Sequence, residues 1–330
     1  MKDLLKAFPL LFLLPLSASA QVHSPANYRA TVERFNRHIA DQVAEITQAS
    51  GGYRLPSSPF LMVHGKPAKH SIVLMHGLGD SPYFMRDLAK LFYGHGYDVV
   101  APLLPGNGTR MEDLGKVSRE DWKKEVTFAY ETAQGLGEKV SLGGMSAGGA
   151  LAVWAGRKYS GDVEAVYLFS PALFFGHWVT RLTCFRPQHL LPNRGSEVPI
   201  RYSKTSNNGT CQLVHLVDEL DLQPGHVSLA CPIFLCVTES DDVINVQRTV
   251  YWVESQPGDH RILAYVKEGV KSDLEFDDLD HEILVPTQPI KQTHIALRSN
   301  GYDDEFNPRF VDLESSLLRF INRPTVPNRN

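Results

Sequence analysis

The chain has 330 residues, enough to bury a large core in one or two domains. Its apolar and charged fractions, 43% and 21%, are those of an ordinary globular protein rather than of a disordered or fibrous chain. A formal net charge of −4 offers no basic field, so no nucleic-acid partner is expected.

The amino terminus carries Lys2 and Lys6, then a nearly continuous apolar run, AFPLLFLLPL over Ala7–Leu16, then Ala18-Ser19-Ala20, an A-x-A cleavage pattern. Residues 1–20 are expected to be a secretory signal peptide, which makes the mature chain periplasmic or extracellular. The run is too short to span a bilayer as a mature helix, and no later stretch reads as a span. Gln21 rather than a cysteine follows the cleavage site, so lipid attachment there is not expected. Residues 21–60 read as an N-terminal helical extension, with apolar residues at helical spacing over Ser24–Ser50.

From there the pattern alternates. Ser71–Met75 (SIVLM) is a continuous apolar run, as for a buried parallel strand. Pro82–Tyr93 reads as a helix with Leu88, Leu91 and Phe92 on one face, and Tyr97–Leu104 as a strand ended by Pro105-Gly106. Ser118–Gln134 is predicted helical, with Ser118 as cap and Glu120 and Asp121 in the first turn. Lys139–Leu142 is a strand, Ala147–Tyr159 a helix and Ala165–Phe169 a strand. The alternation resumes with a strand at Pro232–Val237, a helix at Asn245–Glu254, a strand at Arg261–Val266 and a closing helix at Phe310–Ile321. Such alternation predicts an α/β fold, a mostly parallel central sheet with helices on both faces, over residues 61–330. Between Pro171 and Ala230 it breaks down into aromatic and apolar residues followed by the polar stretch SKTSNNGT. Residues 172–229 are therefore assigned as a cap insertion over the active site.

An exported chain can keep disulfides. Cys231 and Cys236 bracket the apolar run CPIFLC, and an odd separation along a strand puts them on opposite faces, ~16 Å apart and too far to bond. Cys184 and Cys211, both in a loop-rich stretch, are the expected pair.

The chemistry centres on Gly144-Met145-Ser146-Ala147-Gly148. G-x-S-x-G between a strand and a helix is the pattern of a nucleophile elbow, which pushes a serine hydroxyl out at the top of a sheet. A serine needs a base, and the base an orienting acid, in the chain order Ser, Asp or Glu, His. The loop after the strand PIFLCV holds Asp241 and Asp242. Asp241 is favoured because Val243 and Ile244, after one spacer, can pin the loop around it. His281 and His294 follow the acid. His294 is favoured because apolar residues flank it, whereas His281 lies in the acidic stretch DLEFDDLDHEI. The oxyanion donors are assigned to the backbone N–H of Ala147, after the nucleophile, and of Leu78, in the early loop Met75-His76-Gly77-Leu78-Gly79. His76 precedes the serine and reads as a support rather than a base. No metal or organic cofactor is expected.

Across these segments the sequence resembles the α/β-hydrolases of the monoacylglycerol lipase and carboxylesterase type, the serine aminopeptidase S33 superfamily. LMHGLGDSPYFMRDLAKLFYGHGYDVVAPLLPGNGT is similar to that family's HGxG loop, LAxxL helix, GYxV strand and LPGHGT turn, with Asn107 where the family often has His. SREDWKKEV, GMSAGGALA and FSPAL match further family segments. The resemblance covers about residues 70–175 strongly and 230–297 moderately, and not the cap. It implies the α/β-hydrolase fold, Ser146 as nucleophile, Asp241 as acid, His294 as base, Leu78 and Ala147 as oxyanion donors, and a small-molecule or lipid ester as substrate. A peptidase or amidase of the same fold, or a secreted binding protein without turnover, are the alternatives.

Overall fold

The computed structural model describes residues 24–185, 190–192, 198–223, 229–266, 274, 282–284, 307 and 309–323. The proposed signal peptide, His281 and His294 lie outside the described residues. No described helix is long and apolar enough to cross a membrane.

An eight-stranded sheet runs through the centre. Its strands are β1 (Phe60–Met62), β2 (Ala68–Met75), β3 (Tyr97–Ala101), β4 (Gly137–Met145), β5 (Val163–Phe169), β8 (Ile233–Thr238), β9 (His260–Tyr265) and β10 (Glu282–Leu284), in the spatial order β1-β3-β2-β4-β5-β8-β9-β10. Every neighbouring pair is parallel except the edge strand β1, which runs antiparallel to β3. A separate hairpin joins β6 (Leu190–Pro192) to β7 (Lys204–Ser206).

The apolar runs become two-sided strands for a simple reason. Alternate side chains enter opposite faces. Val73 and Met75 of β2, and Ile233, Leu235 and Val237 of β8, join the larger core. Ile72 and Leu74, and Phe234 and Cys236, join the other. The larger core is covered by α3 (Arg119–Leu136), α4 (Ala147–Lys158) and α6 (Val246–Glu254). The second is covered by α2 (Arg86–Gly94) and α7 (Phe310–Ile321), through Leu88, Phe92, Leu313, Leu317 and Phe320. Cys231 packs against the larger core and Cys236 in the smaller, both as free thiols, as the odd separation requires.

Local signals set the helix ends. The Ser118 hydroxyl accepts from the Asp121 N–H, and the Asp121 carboxylate accepts from the Ser118 N–H. This reciprocal cap satisfies two N-terminal donors of α3. The leading helix α1 (Pro25–Ser50) is capped by Ser24 and buries Tyr28, Phe35 and Ile46. It docks on α3 through a stacked Phe35–Phe128 pair and the His38 Nε2–Glu125 Oε1 contact at 2.8 Å. The Tyr28 hydroxyl donates to the buried Asp98 carboxylate at 2.7 Å.

The stretch predicted as a cap has more order than its sequence suggests. Lys204–Ser206 and α5 (Asn207–Leu220) occupy the SKTSNNGT stretch and beyond, with the Ser206 hydroxyl accepting from the Gly209 N–H. Leu213, Leu216, Val217 and Leu220 enter the larger core, so α5 belongs to the body. A polar seam fixes it to α3: Lys123 Nζ reaches Glu219 Oε1 at 2.5 Å and the Arg119 guanidinium reaches Glu219 at 3.1 Å. Cys184 and Cys211 form a disulfide. They join the 3-10 segment Trp178–Phe185 to α5, not two loops as expected.

Candidate active site

The site is built at the carboxyl ends of β2, β4, β5 and β8. The register pairs Met75 with Gly144, Met145 with Phe169, and Phe169 with Cys236, so the loops at these ends leave the sheet side by side.

Ser146 occupies the turn between β4 and α4. Its φ of 52° and ψ of −117° lie in a region that side-chain-bearing residues rarely adopt. Such a conformation costs about 1–3 kcal/mol and persists only where its surroundings over-determine it. Here the Ser146 N–H donates to Phe169 O at 3.1 Å, and Ser146 O accepts from the N–H groups of Gly149, Ala150 and Ala172. The flanking glycines are steric necessities. A Cβ on Gly144 would strike the Gly148 carbonyl, and one on Gly148 would overlap the carbonyl groups of Met75 and His76. Helix α4 can thus cross close against β2. Ala147 is the first residue of α4, and the first N–H groups of a helix have no intrahelical acceptor. That donor sits next to Ser146 at the positive end of the helix dipole.

The loop after β2 lies against the elbow. A Cβ on Gly77 would stand 3.4 Å from Ser146 Cβ and closer still to Asp80 Oδ2 and Met145. His76, fully buried, sets the orientation of this loop. Its Nε2 accepts from the Leu104 N–H at 3.0 Å, so its Nδ1 carries the proton and donates to Gly77 O at 2.8 Å. The Asp80 N–H donates to the same carbonyl. In a planar trans peptide the N–H points opposite to the C=O. Fixing the Gly77 carbonyl therefore fixes the Leu78 N–H on the other side. Gly79, at φ 78°, is held at both ends: its N–H donates to Asn107 Oδ1 at 2.9 Å and its carbonyl accepts from the Tyr202 N–H at 2.9 Å. Asn107, buried in the LPGNGT turn, in turn donates to Leu104 O.

Burial holds the His76 imidazole down to about 4. Between that value and the ordinary one near 6.5 the unfolded chain binds a proton that the folded protein does not. The contribution of His76 to stability is therefore complete above pH 6.5 and declines as the pH falls towards 4, by about 3 kcal/mol. Urea unfolding at pH 7 and pH 4.5, compared with His76→Gln, is expected to show a shallower acid loss in the variant. Equal slopes in the two proteins would remove this role.

Asp241 and Asp242 stand differently. Asp241 is buried, and its Oδ1 accepts from the N–H groups of Val243 at 2.8 Å and Ile244 at 3.2 Å. Asp242 is half-exposed. Val243 and Ile244 thus pin the loop through their backbone N–H groups, and Ile244 through a buried side chain as well, whereas the Val243 side chain is exposed rather than packed. The acid loop is tied back to the elbow: Gly176 N–H donates to Val243 O, Asn245 N–H to Phe174 O, and Ala172 N–H to Ser146 O. Asn107, Asp80 and Tyr202 were not assigned roles from sequence. The GLGD and LPGNGT strings carry signals for the first two, and Tyr202 has none.

Strand order, elbow and rim define an α/β-hydrolase. Residues 66–210 match the family described as serine aminopeptidase, S33. Over 181 residues the chain is 25% identical to the thermostable monoacylglycerol lipase of Bacillus sp. (strain H-257), a match covering 52% of this chain and 71% of that one. It is 25% identical over 177 residues to Lipase 1 of Psychrobacter immobilis and 28% over 184 residues to Lipase 3 of Moraxella sp. (strain TA144). Those matches cover 52% and 54% of this chain and only 54% and 56% of the two lipases. Among solved structures, a metagenome-derived lipolytic enzyme of the LipS and LipT pair superposes with a TM-score of 0.63 at 20% identity, covering 81% of this chain and 98% of that one. The monoacylglycerol lipase of Paleococcus ferrophilus gives 0.52 at 21%, covering 63% and 89%. The chain has the α/β-hydrolase fold and, over part of its length, is similar to monoacylglycerol lipases and other lipases.

Proposed function

We propose that the chain is an exported serine hydrolase that cleaves carboxylic esters, as a carboxylesterase or monoacylglycerol-type lipase, through an acyl-enzyme. The observation that carries this is the strained elbow: Ser146 is held at positive φ at the head of α4, with the Gly77-Leu78 peptide packed beside it. In the first step His294 takes the Ser146 proton as the oxygen attacks the ester carbonyl, while Asp241 orients His294 and stabilises its charged form. The Leu78 and Ala147 N–H groups hold the oxyanion. The alcohol leaves with the proton from His294, and water hydrolyses the acyl-enzyme by the same route.

His294 is preferred as base over His281 on sequence context: apolar residues flank His294, whereas His281 lies in the acidic stretch DLEFDDLDHEI. The lipase names of the relatives, and partly buried Leu78, Phe174 and Phe175 against the core beside the site, favour an ester with an apolar acyl group.

A fluorophosphonate probe is expected to label the Ser146 peptide of the mature protein, and p-nitrophenyl esters to be turned over in preference to aminoacyl anilides. His294→Ala is expected to lose about 10⁵–10⁶ in kcat, and His281→Ala to stay within about threefold of wild type. Faster anilide cleavage would make the protein a peptidase or amidase, and absence of serine labelling would make it a non-catalytic member of the fold. Loss in His281→Ala alone would move the base.

A further inference from the structure

Arg54 lies outside the stretch that matches the family, in the N-terminal extension between α1 and β1. It is 4% exposed. Its Nη1 donates to two backbone carbonyls, Val198 O at 3.2 Å and Arg201 O at 3.3 Å. Those residues close a tight turn, with the N–H of each donating to the carbonyl of the other. The guanidinium also lies 4.4 Å over the Tyr202 ring. Ser57, three residues on, donates to Pro199 O of the same turn at 2.6 Å. The extension therefore grips residues 198–202 from outside.

Tyr202, at the end of this turn, links it to the reacting groups. It is buried, and its N–H is the donor to Gly79 O. Its hydroxyl donates to Gly106 O at 3.2 Å and accepts from the Thr109 N–H at 3.0 Å, on the same turn whose Asn107 holds the Gly79 N–H. Both polar groups that hold Gly79 are thus either on Tyr202 or in the turn that Tyr202 braces.

Resting on the esterase reading above, we propose that Arg54 is a positioning residue for the oxyanion loop, acting through the 198–201 turn and Tyr202 to hold Gly79, and so the neighbouring Leu78 N–H, in place. The buried guanidinium suits this task. One of its NH2 groups serves two carbonyls while the charged plane lies over a ring face. In this chain the N-terminal extension is then a working part of the catalytic machinery.

The test uses the full-length mature protein, with active sites titrated by a fluorophosphonate so that misfolded protein is not counted. Arg54→Ala is expected to lower kcat per titrated site on a p-nitrophenyl ester by about tenfold or more with KM within about twofold, because a small misplacement of a donor is felt mainly in the transition state. The labelling rate should fall in parallel, and millimolar guanidinium ion should restore part of both. If the alanine variant does not accumulate folded, Arg54→Met keeps the packing of the stem while losing the donors and the charge, and should lower kcat several-fold. A wild-type kcat per titrated site in either folded variant, or a loss confined to KM, overturns the inference. Absence of labelling and turnover in the wild type would instead sink the esterase reading.

Discussion

Ser146→Ala is expected to lower kcat on a p-nitrophenyl ester by about 10⁵–10⁶ and leave KM nearly unchanged. The reason is that in the proposed mechanism the nucleophile, its base and its acid act as one device. With the oxygen gone, His294 has no proton to take and Asp241 nothing to orient. The residual rate above that of water comes from the oxyanion donors and from binding, which the variant keeps. The same logic gives a sharper check. Adding Asp241→Ala to Ser146→Ala should cost less than about threefold more, whereas Asp241→Ala alone should cost about 10⁴. Steady-state kinetics of the four proteins closes this cycle. Additive losses would mean that the two residues do not work together. The fold should tolerate Ser146→Ala, since the contacts that hold the elbow are made by the backbone of residue 146.

Gly148→Ala is expected to be severely damaging for the addition of a single methyl group. The added carbon would overlap the carbonyl groups of Met75 and His76, which are backbone atoms of β2 and the oxyanion loop and cannot rotate aside. Either α4 lifts away from the sheet or β2 shifts. The first dismantles the elbow; the second displaces the Gly77 carbonyl and, with it, the Leu78 N–H. A loss of about 3 kcal/mol or more in unfolding free energy is expected, with at least ~100-fold lower kcat in whatever folds. Gly161→Ala is the comparison, with open space around its Cβ but a φ of 95°, so it isolates backbone strain from collision. Equal losses in both variants would refute the packing argument.

The parts of this architecture that read from sequence are those with short-range causes. Ser71–Met75 and the CPIFLC run are apolar on both sides because both sheet faces are covered. The elbow shows in five residues because Gly144 and Gly148 must be glycine for one helix to cross one strand. Helix α5 was hidden because its first turn, Asn207-Asn208-Gly209, is polar and reads as a loop, although Leu213, Val214, Leu216, Val217 and Leu220 repeat at helical spacing behind it. Strands β1 and β10 are three residues each, shorter than any periodicity can declare. Asp241 and Asp242 are chemically identical in the chain and differ only in burial and in the donors the loop turns towards them. Arg54 is the extreme case. A charged residue in a polar stretch reads as surface, and only the tertiary fold brings Val198, Arg201 and Tyr202 around it.

Those two three-residue strands also govern how the protein behaves in concentrated solution. A parallel sheet this wide would carry long rows of unmatched N–H and C=O groups along its margins, which are templates for pairing with another molecule. Here one margin is closed by an antiparallel strand spanning only Phe60–Met62 and the other by Glu282–Leu284. Among the described residues each presents about 10 Å of strand at its margin, which gives an incoming strand little to pair with. The long apolar strands most prone to aggregation, β2, β4, β5 and β8, are all interior. The strand order thus keeps the long apolar strands away from both described margins as well as building the rim that carries Ser146.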